Sequence, residues 1–248
     1  MGFLRALAFL TRIPVFIKVN IDEHTLARSV VFFPAVGLII GLVLGFSDVL
    51  LSYLFPPALQ GAFLLIASII ITGGLHLEGL ADTADGILSG RPKEKALDIM
   101  KDSRIGAFGA ITLIMTLILK YSFFISLPGH IRFQALVFSP MLSRWIMVAA
   151  IVFFPYARKE RGMGTAFVEH TGKTDFILGG LLHLPAAYIL LGSKGIYVTA
   201  AAFLLIMPVM FYIYRKIEGM TGDTYGALNE IAEAVSLTLF ILGDRLHG

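Results

Sequence analysis

Three carboxylates stand close together in GGLHLEGLADTADG, residues 73–86, where an apolar run ends: Glu78, Asp82 and Asp85. On a continued helix the i, i+4, i+7 spacing puts all three within roughly a 60° arc of one face. Like charges packed this closely repel unless a cation neutralises them. The row therefore asks for a metal ion or a cationic substrate, and these three acids are the expected catalytic and metal-binding residues. His76 falls on the opposite side of such a helix, where a lone histidine reads as a packing or hydrogen-bonding residue.

A second acidic face follows near the C-terminus in GMTGDTYGALNEIAEA, residues 219–234. If helical, it gathers Asp223, Glu230 and Glu233 within roughly an 80° arc, with Thr221 or Asp223 available as the cap. Basic groups lie between the two segments. Lys101 and Arg104, in MKDSRIGAFG, have Asp98 and Asp102 beside them, and Gly106 and Gly109 there would admit a ligand or another helix to the backbone. Arg158 and Arg161, with Gly162 and Gly164, form an expected phosphate-binding turn in RKERGMGTAF. Arg144 sits inside an apolar span, where a guanidinium faces a polar cavity or a carboxylate. The bland alternatives are real: Lys93, Lys95, Lys159, Arg215 and Lys216 read as topology signals, and acids near helix starts often only complement the dipole.

The chain that must position these groups is 57% hydrophobic and 15% charged over 248 residues, with a mean hydropathy of +0.83. That is too apolar for a soluble domain and places the chain among integral membrane proteins. Apolar runs recur at 30–54, 59–77, 106–127, 133–154, 176–192, 195–214 and 228–243. Each is near the roughly 20 residues a spanning helix needs, and lipid leaves no partner for the open backbone of an isolated strand. The expected fold is an all-α polytopic bundle, one domain over 1–248, with about seven transmembrane helices. MGFLRALAFLTRIPVFIKV reads as an interfacial or re-entrant helix ahead of Pro14 rather than a cleaved signal.

With the N-terminus inside, all of the 20 Lys and Arg except Arg132, Lys194, Arg245, Lys120 and Arg144 fall on the cytoplasmic side. The long polar loops lie on that side too. The pI of 9.1 thus reports a positive-inside bias and not nucleic-acid binding. The expected location is the cytoplasmic (inner) membrane, multi-pass, in contact with membrane lipid, with the site facing the cytoplasm. The sequence leaves a homo-oligomer open. The absence of cysteine removes thiolate ligands and nucleophiles, so a metal would be held by oxygen or histidine.

Acids with Arg and Lys at one membrane face suggest Mg²⁺-dependent chemistry on a phosphate or pyrophosphate, since Mg²⁺ favours carboxylate and phosphate oxygens together. An ion-coupled transporter is the rival from another class, but it would hold its acids near the midplane. A CDP-alcohol phosphotransferase is the rival within enzymology. Its motif needs Asp-Gly followed after two residues by Ala-Arg, whereas Asp85 and Gly86 are followed by Ile87, Leu88, Ser89 and Gly90.

GGLHLEGLADTADG followed by MKDSRIGAFG, RGMG and GMTGDTYGALNEIAE resembles the cobalamin synthase family, the adenosylcobinamide-GDP ribazoletransferases, with the motifs in family order from about residue 70 to 235. The resemblance implies an Mg²⁺-dependent membrane enzyme that joins adenosylcobinamide-GDP to α-ribazole or its 5′-phosphate and releases GMP, the nucleotide-loop assembly step of cobalamin synthesis. Glu78 stands where the family motif commonly has Asp, which ranks Asp82 and Asp85 ahead of it as metal ligands. The basic groups carry no assignment from the family; on the residues alone, Lys101, Arg104, Arg144, Arg158 and Arg161 would hold substrate phosphates, and Asp223, Glu230 and Glu233 a second metal or the nucleophile.

Overall fold

The computed structural model describes residues 1–15, 23–158 and 163–247. Among them every regular element is helical: α1 (Gly2–Leu10), α2 (Glu23–Ala27), a 3-10 turn (Val30–Phe32), α3 (Phe33–Ser52), α4 (Pro57–Thr72), α5 (Leu75–Leu88), α6 (Lys93–Ile99), α7 (Ala107–Ser126), α8 (Gly129–Phe153), α9 (Met163–His170), α10 (Lys173–Leu191), α11 (Ser193–Ile217) and α12 (Gly222–His247). Six stretches are long and apolar enough to cross a membrane, and the bent pair of α4 and α5 makes a seventh if counted as one. The chain is a multi-pass helical membrane protein, and all seven apolar runs of the sequence recur as helices.

The centre of the bundle is α8, buried along nearly its whole length. Gly37 and Gly41 on α3 lie against its backbone at Pro140 and Val137, where a Cβ would overlap the neighbouring main chain. Small residues four apart let the two helices approach closely, which is how helices associate where lipid supplies no hydrophobic drive. The pair is also fastened by charge: Arg132 of α8 donates to Asp48 of α3 at 2.7 Å, and Gln60 of α4 donates to the same carboxylate at 2.6 Å.

One element departs from the sequence expectation. The apolar run 59–77 does not continue as a single helix into the acids. It breaks at Gly73 and Gly74, both left-handed with φ of 64° and 71°, and α5 leaves α4 at 88°. Two successive left-handed residues end one helix and start another in a new direction, a conformation that glycine adopts without the Cβ penalty. The acids thus ride on a separate 14-residue helix.

That helix is held on two sides. Against α12, Gly79 meets the backbone of Asp223 and Gly226 meets that of His76; a Cβ added at these glycines would lie only 2.8 and 3.2 Å, respectively, from the facing main chain. The two acidic segments of the sequence are in this way laid directly on one another. Thr221 and Thr224 bond reciprocally at the start of α12, at 2.8 and 3.3 Å, so Thr221 is its cap. A backbone clasp, Ala157 N–H to Met220 O and Met220 N–H to Pro155 O, both 2.8 Å, ties the segment after α8 to that cap. It brings Tyr156 and Arg158 beside Asp223.

Candidate active site

At the end of the bundle where α3 and α12 begin and α8 finishes, a cleft of about 500 Å³ opens. Glu78 and Asp82 of α5, Asp223 of α12, Lys101 and Arg158 form its charged part, while Phe9, Phe33, Met147, Ile151 and Phe167 form an apolar wall. Phe9, Phe33 and Phe167 pack ring on ring, with centroids 5.8 to 6.3 Å apart. Arg158 donates to Asp223 at 2.8 Å. Asp82 has Asp223, Glu78 and Asp85 as like-charged neighbours, with Arg158 opposing them. Among the described residues no hydrogen bond or ion pair engages the side-chain carboxylate of Glu78 or of Asp82. Two carboxylates of the row thus stand at the mouth of a concave, half-apolar site, with Lys101 and Arg158 in the same lining.

Asp85 is placed differently. Its two carboxylate oxygens accept from the backbone N–H groups of Gly106 and Gly109, each at 2.8 Å, and it does not line the cleft. These are bare donors of the first turn of α7, so Asp85 caps that helix from outside and complements its dipole. A Cβ at Gly106 or Gly109 would overlap the carboxylate. The close approach expected at these glycines is made by another helix's side chain. Although Asp85 shares a face with Glu78 and Asp82, it lies one turn further along α5, opposite α7 instead of the cleft.

This placement makes a prediction. Asp85→Asn replaces an acceptor pair with one acceptor and one donor, and the donor confronts an N–H. Loss of charge-assisted bonds to a helix start costs about 1.5–3 kcal/mol, so thermal melting in detergent should show a lowered Tm. Gly109→Ala should reproduce that drop by pushing the carboxylate out.

The other expected site residues divide sharply. Glu230 and Glu233 lie one and two turns beyond the cleft, where Lys120 of α7 pairs with both, at 2.5 and 3.0 Å, and Arg144 pairs with Glu233. Asp223 is seven residues before Glu230, about 10 Å along a helix, so the arc that spacing assigned to all three spans two environments. The group expected to bind substrate or metal is instead a closed network of two acids and two bases, and Arg144 is fully buried within it. Arg104 turns out of the cleft and binds Asp102 at 3.0 and 2.7 Å, and these hydrogen bonds hold the Asp102 carboxyl down to about 2. Lys101 does reach the cleft. Arg161 lies outside the described residues.

Sequence reasoning passed over His76, Tyr156 and Tyr225, all of which line the cleft. Tyr225 follows Asp223 by two residues in the motif already singled out, which was a usable signal. His76 lies outside the arc of the three acids, whereas the cleft is lined from Leu75 to Asp82 of α5, and α12 rather than a free helix face sets its edge.

Among the described residues no three acidic or histidine side chains converge to form a metal cage made by protein alone. Two neighbouring carboxylates remain, Glu78 and Asp82. That donor set fits Mg²⁺, which is commonly held by one or two carboxylates with substrate phosphates and water completing the shell.

Comparison with known proteins matches residues 2–241 to the family model described as cobalamin-5-phosphate synthase. The chain belongs to the cobalamin-5-phosphate synthase family. The chain is 40% identical to the adenosylcobinamide-GDP ribazoletransferase of Clostridium novyi over 92% of its length and 91% of that protein. It is 38% identical to that of Desulforamulus reducens over 98% and 96% of the two chains, and 40% identical to that of Desulfitobacterium hafniense over 96% and 94%. No solved structure matches. Membership of the cobalamin-5-phosphate synthase family gives the cleft a reaction to be tested against.

Proposed function

We propose that this chain is an adenosylcobinamide-GDP ribazoletransferase acting in cobalamin synthesis, and that the cleft bearing Glu78, Asp82, Asp223 and Arg158 is where ribazole displaces GMP. The observation that carries the reading is a pair of carboxylates, unpartnered among the described residues, in one cleft with cationic side chains and an apolar wall. A pyrophosphate needs the first two and a nucleoside base the third.

Glu78 and Asp82 would hold Mg²⁺ against the pyrophosphate oxygens. The bound metal supplies Lewis acidity, offsetting charge as the phosphoryl group transfers. Arg158 and Lys101 bind the remaining oxygens and orient the phosphorus for in-line attack. Asp223 gives one oxygen to Arg158 and keeps Oδ1 to receive the proton of the attacking ribose hydroxyl. The new ribose O–P bond forms as the P–O bond to GMP breaks, and the phosphate borne by the cobinamide arm stays in the product. The acids lie with the long basic loops, which supports a cytoplasmic-membrane protein with its site facing the cytoplasm.

The transporter reading needs free acids at mid-depth. Glu230 and Glu233, the acids so placed, are already neutralised by Lys120 and Arg144, which disfavours it. The test is GMP release by the purified chain given adenosylcobinamide-GDP, α-ribazole and Mg²⁺. Release that requires all three is expected. No release, with substrate uptake into vesicles instead, would overturn the reading.

A further inference from the structure

His76 is 3% exposed, lines the cleft, and carries a buried Nε2 with no partner among the described residues. Its other nitrogen is spoken for: Arg144 Nη2 lies 3.3 Å from Nδ1. A guanidinium has donors only, so Nδ1 must be the acceptor and the ring proton sits on Nε2. Arg144 is in turn fixed by Glu233, which Lys120 also binds. The buried network therefore does something beyond closing its own charge. It sets the tautomer of His76 and leaves an N–H donor on the ring edge turned away from Arg144. A donor buried without an acceptor is costly, and a native site that keeps one completes it with an ordered water or a ligand; in a cleft wall the ligand is the partner to test.

We infer that His76 is the base-reading residue of the ribazole subsite, with its Nε2–H donating to the unsubstituted ring nitrogen of the benzimidazole. The inference rests on the transferase reading for the identity of the ligand. The ribazole base is flat, bicyclic and apolar except at that one nitrogen, which carries a lone pair and no hydrogen. The wall of Phe9, Phe33 and Phe167 with Met147 supplies faces on which such a ring packs. A single donor at its edge then reads the single acceptor. A phosphate would use the same donor, but it belongs with Arg158 and Lys101 in the charged part of the cleft.

A site that hydrogen-bonds a buried acceptor discriminates strongly against an analogue lacking it. The experiment compares α-ribazole with the riboside of 5,6-dimethylindole, in which that nitrogen is C–H, by calorimetric binding to the purified full chain in detergent and by GMP release in parallel. The unmodified chain should bind the indole riboside about 10-fold or more weakly. His76→Leu should weaken ribazole and level the two ligands, with KM for adenosylcobinamide-GDP unchanged. His76→Gln, which can accept from Arg144 and still donate, should restore part of the preference. Equal binding of the two ligands by the unmodified chain would overturn the assignment without needing any variant to fold. So would a rise in KM for adenosylcobinamide-GDP in His76→Leu with the base preference intact, which would place the donor on phosphate. Selective binding of ribazole without GMP release would instead leave His76 standing and sink the transferase reading.

Discussion

Asp82→Asn should reduce GMP release by about 10³-fold or more while the protein still inserts, purifies and melts as the unmodified chain does. The magnitude follows from the role: removing one electrostatic partner of a transferring phosphoryl group costs about 4 kcal/mol in activation free energy. The stability half follows from the surroundings. Asp82 has like-charged Asp223, Glu78 and Asp85 around it and no bond among the described residues to lose, so neutralising it relieves repulsion. Loss of activity with a maintained or slightly raised Tm separates a functional acid from a structural one. GMP assays and thermal melts on the same preparation check both halves.

Glu233→Leu should do the reverse and unfold the chain. Lys120, Arg144, Glu230 and Glu233 form a balanced set of two positive and two negative groups with almost no access to solvent. Deleting one member leaves a buried cation unpaired, which costs about 3–5 kcal/mol, a large share of the roughly 5–15 kcal/mol by which a domain is stable. The expected result is aggregation or a collapsed yield on detergent extraction, read by size-exclusion chromatography. A second change that removes the surplus cation, Arg144→Met with Glu233→Leu, should recover monodisperse protein in greater yield than Glu233→Leu alone. Failure of that recovery would mean Glu233 serves something other than charge balance.

Much of this was legible in the residues. Composition and the seven apolar runs gave the helical membrane bundle because lipid permits so few alternatives, and the two acidic motifs did mark helices that meet at the site. What escaped the sequence was partnership. Helical spacing places Glu78, Asp82 and Asp85 on one face, but spacing along one helix does not reveal what packs against each turn, and α7 claims Asp85 through two backbone donors. In the same way Glu230 and Glu233 share an arc with Asp223 but stand about two helical turns or more deeper, where Lys120 and Arg144, themselves isolated within spans, complete them. The break at Gly73 and Gly74 was visible as a pair of glycines; its 88° turn depends on both adopting positive φ, which a hydropathy run does not encode.

The most direct test of where the chemistry sits is the ratio of single-turnover GMP release by Asp85→Asn to that by Asp82→Asn, at a temperature where both remain folded. A site centred on the cleft predicts that Asp85→Asn keeps activity within about 10-fold of the unmodified chain, with its loss appearing as a lowered Tm, while Asp82→Asn is silent; the ratio is then about 10² or greater. A ratio near one, with both variants inactive and both folded, would contradict it and return Asp85 to the metal.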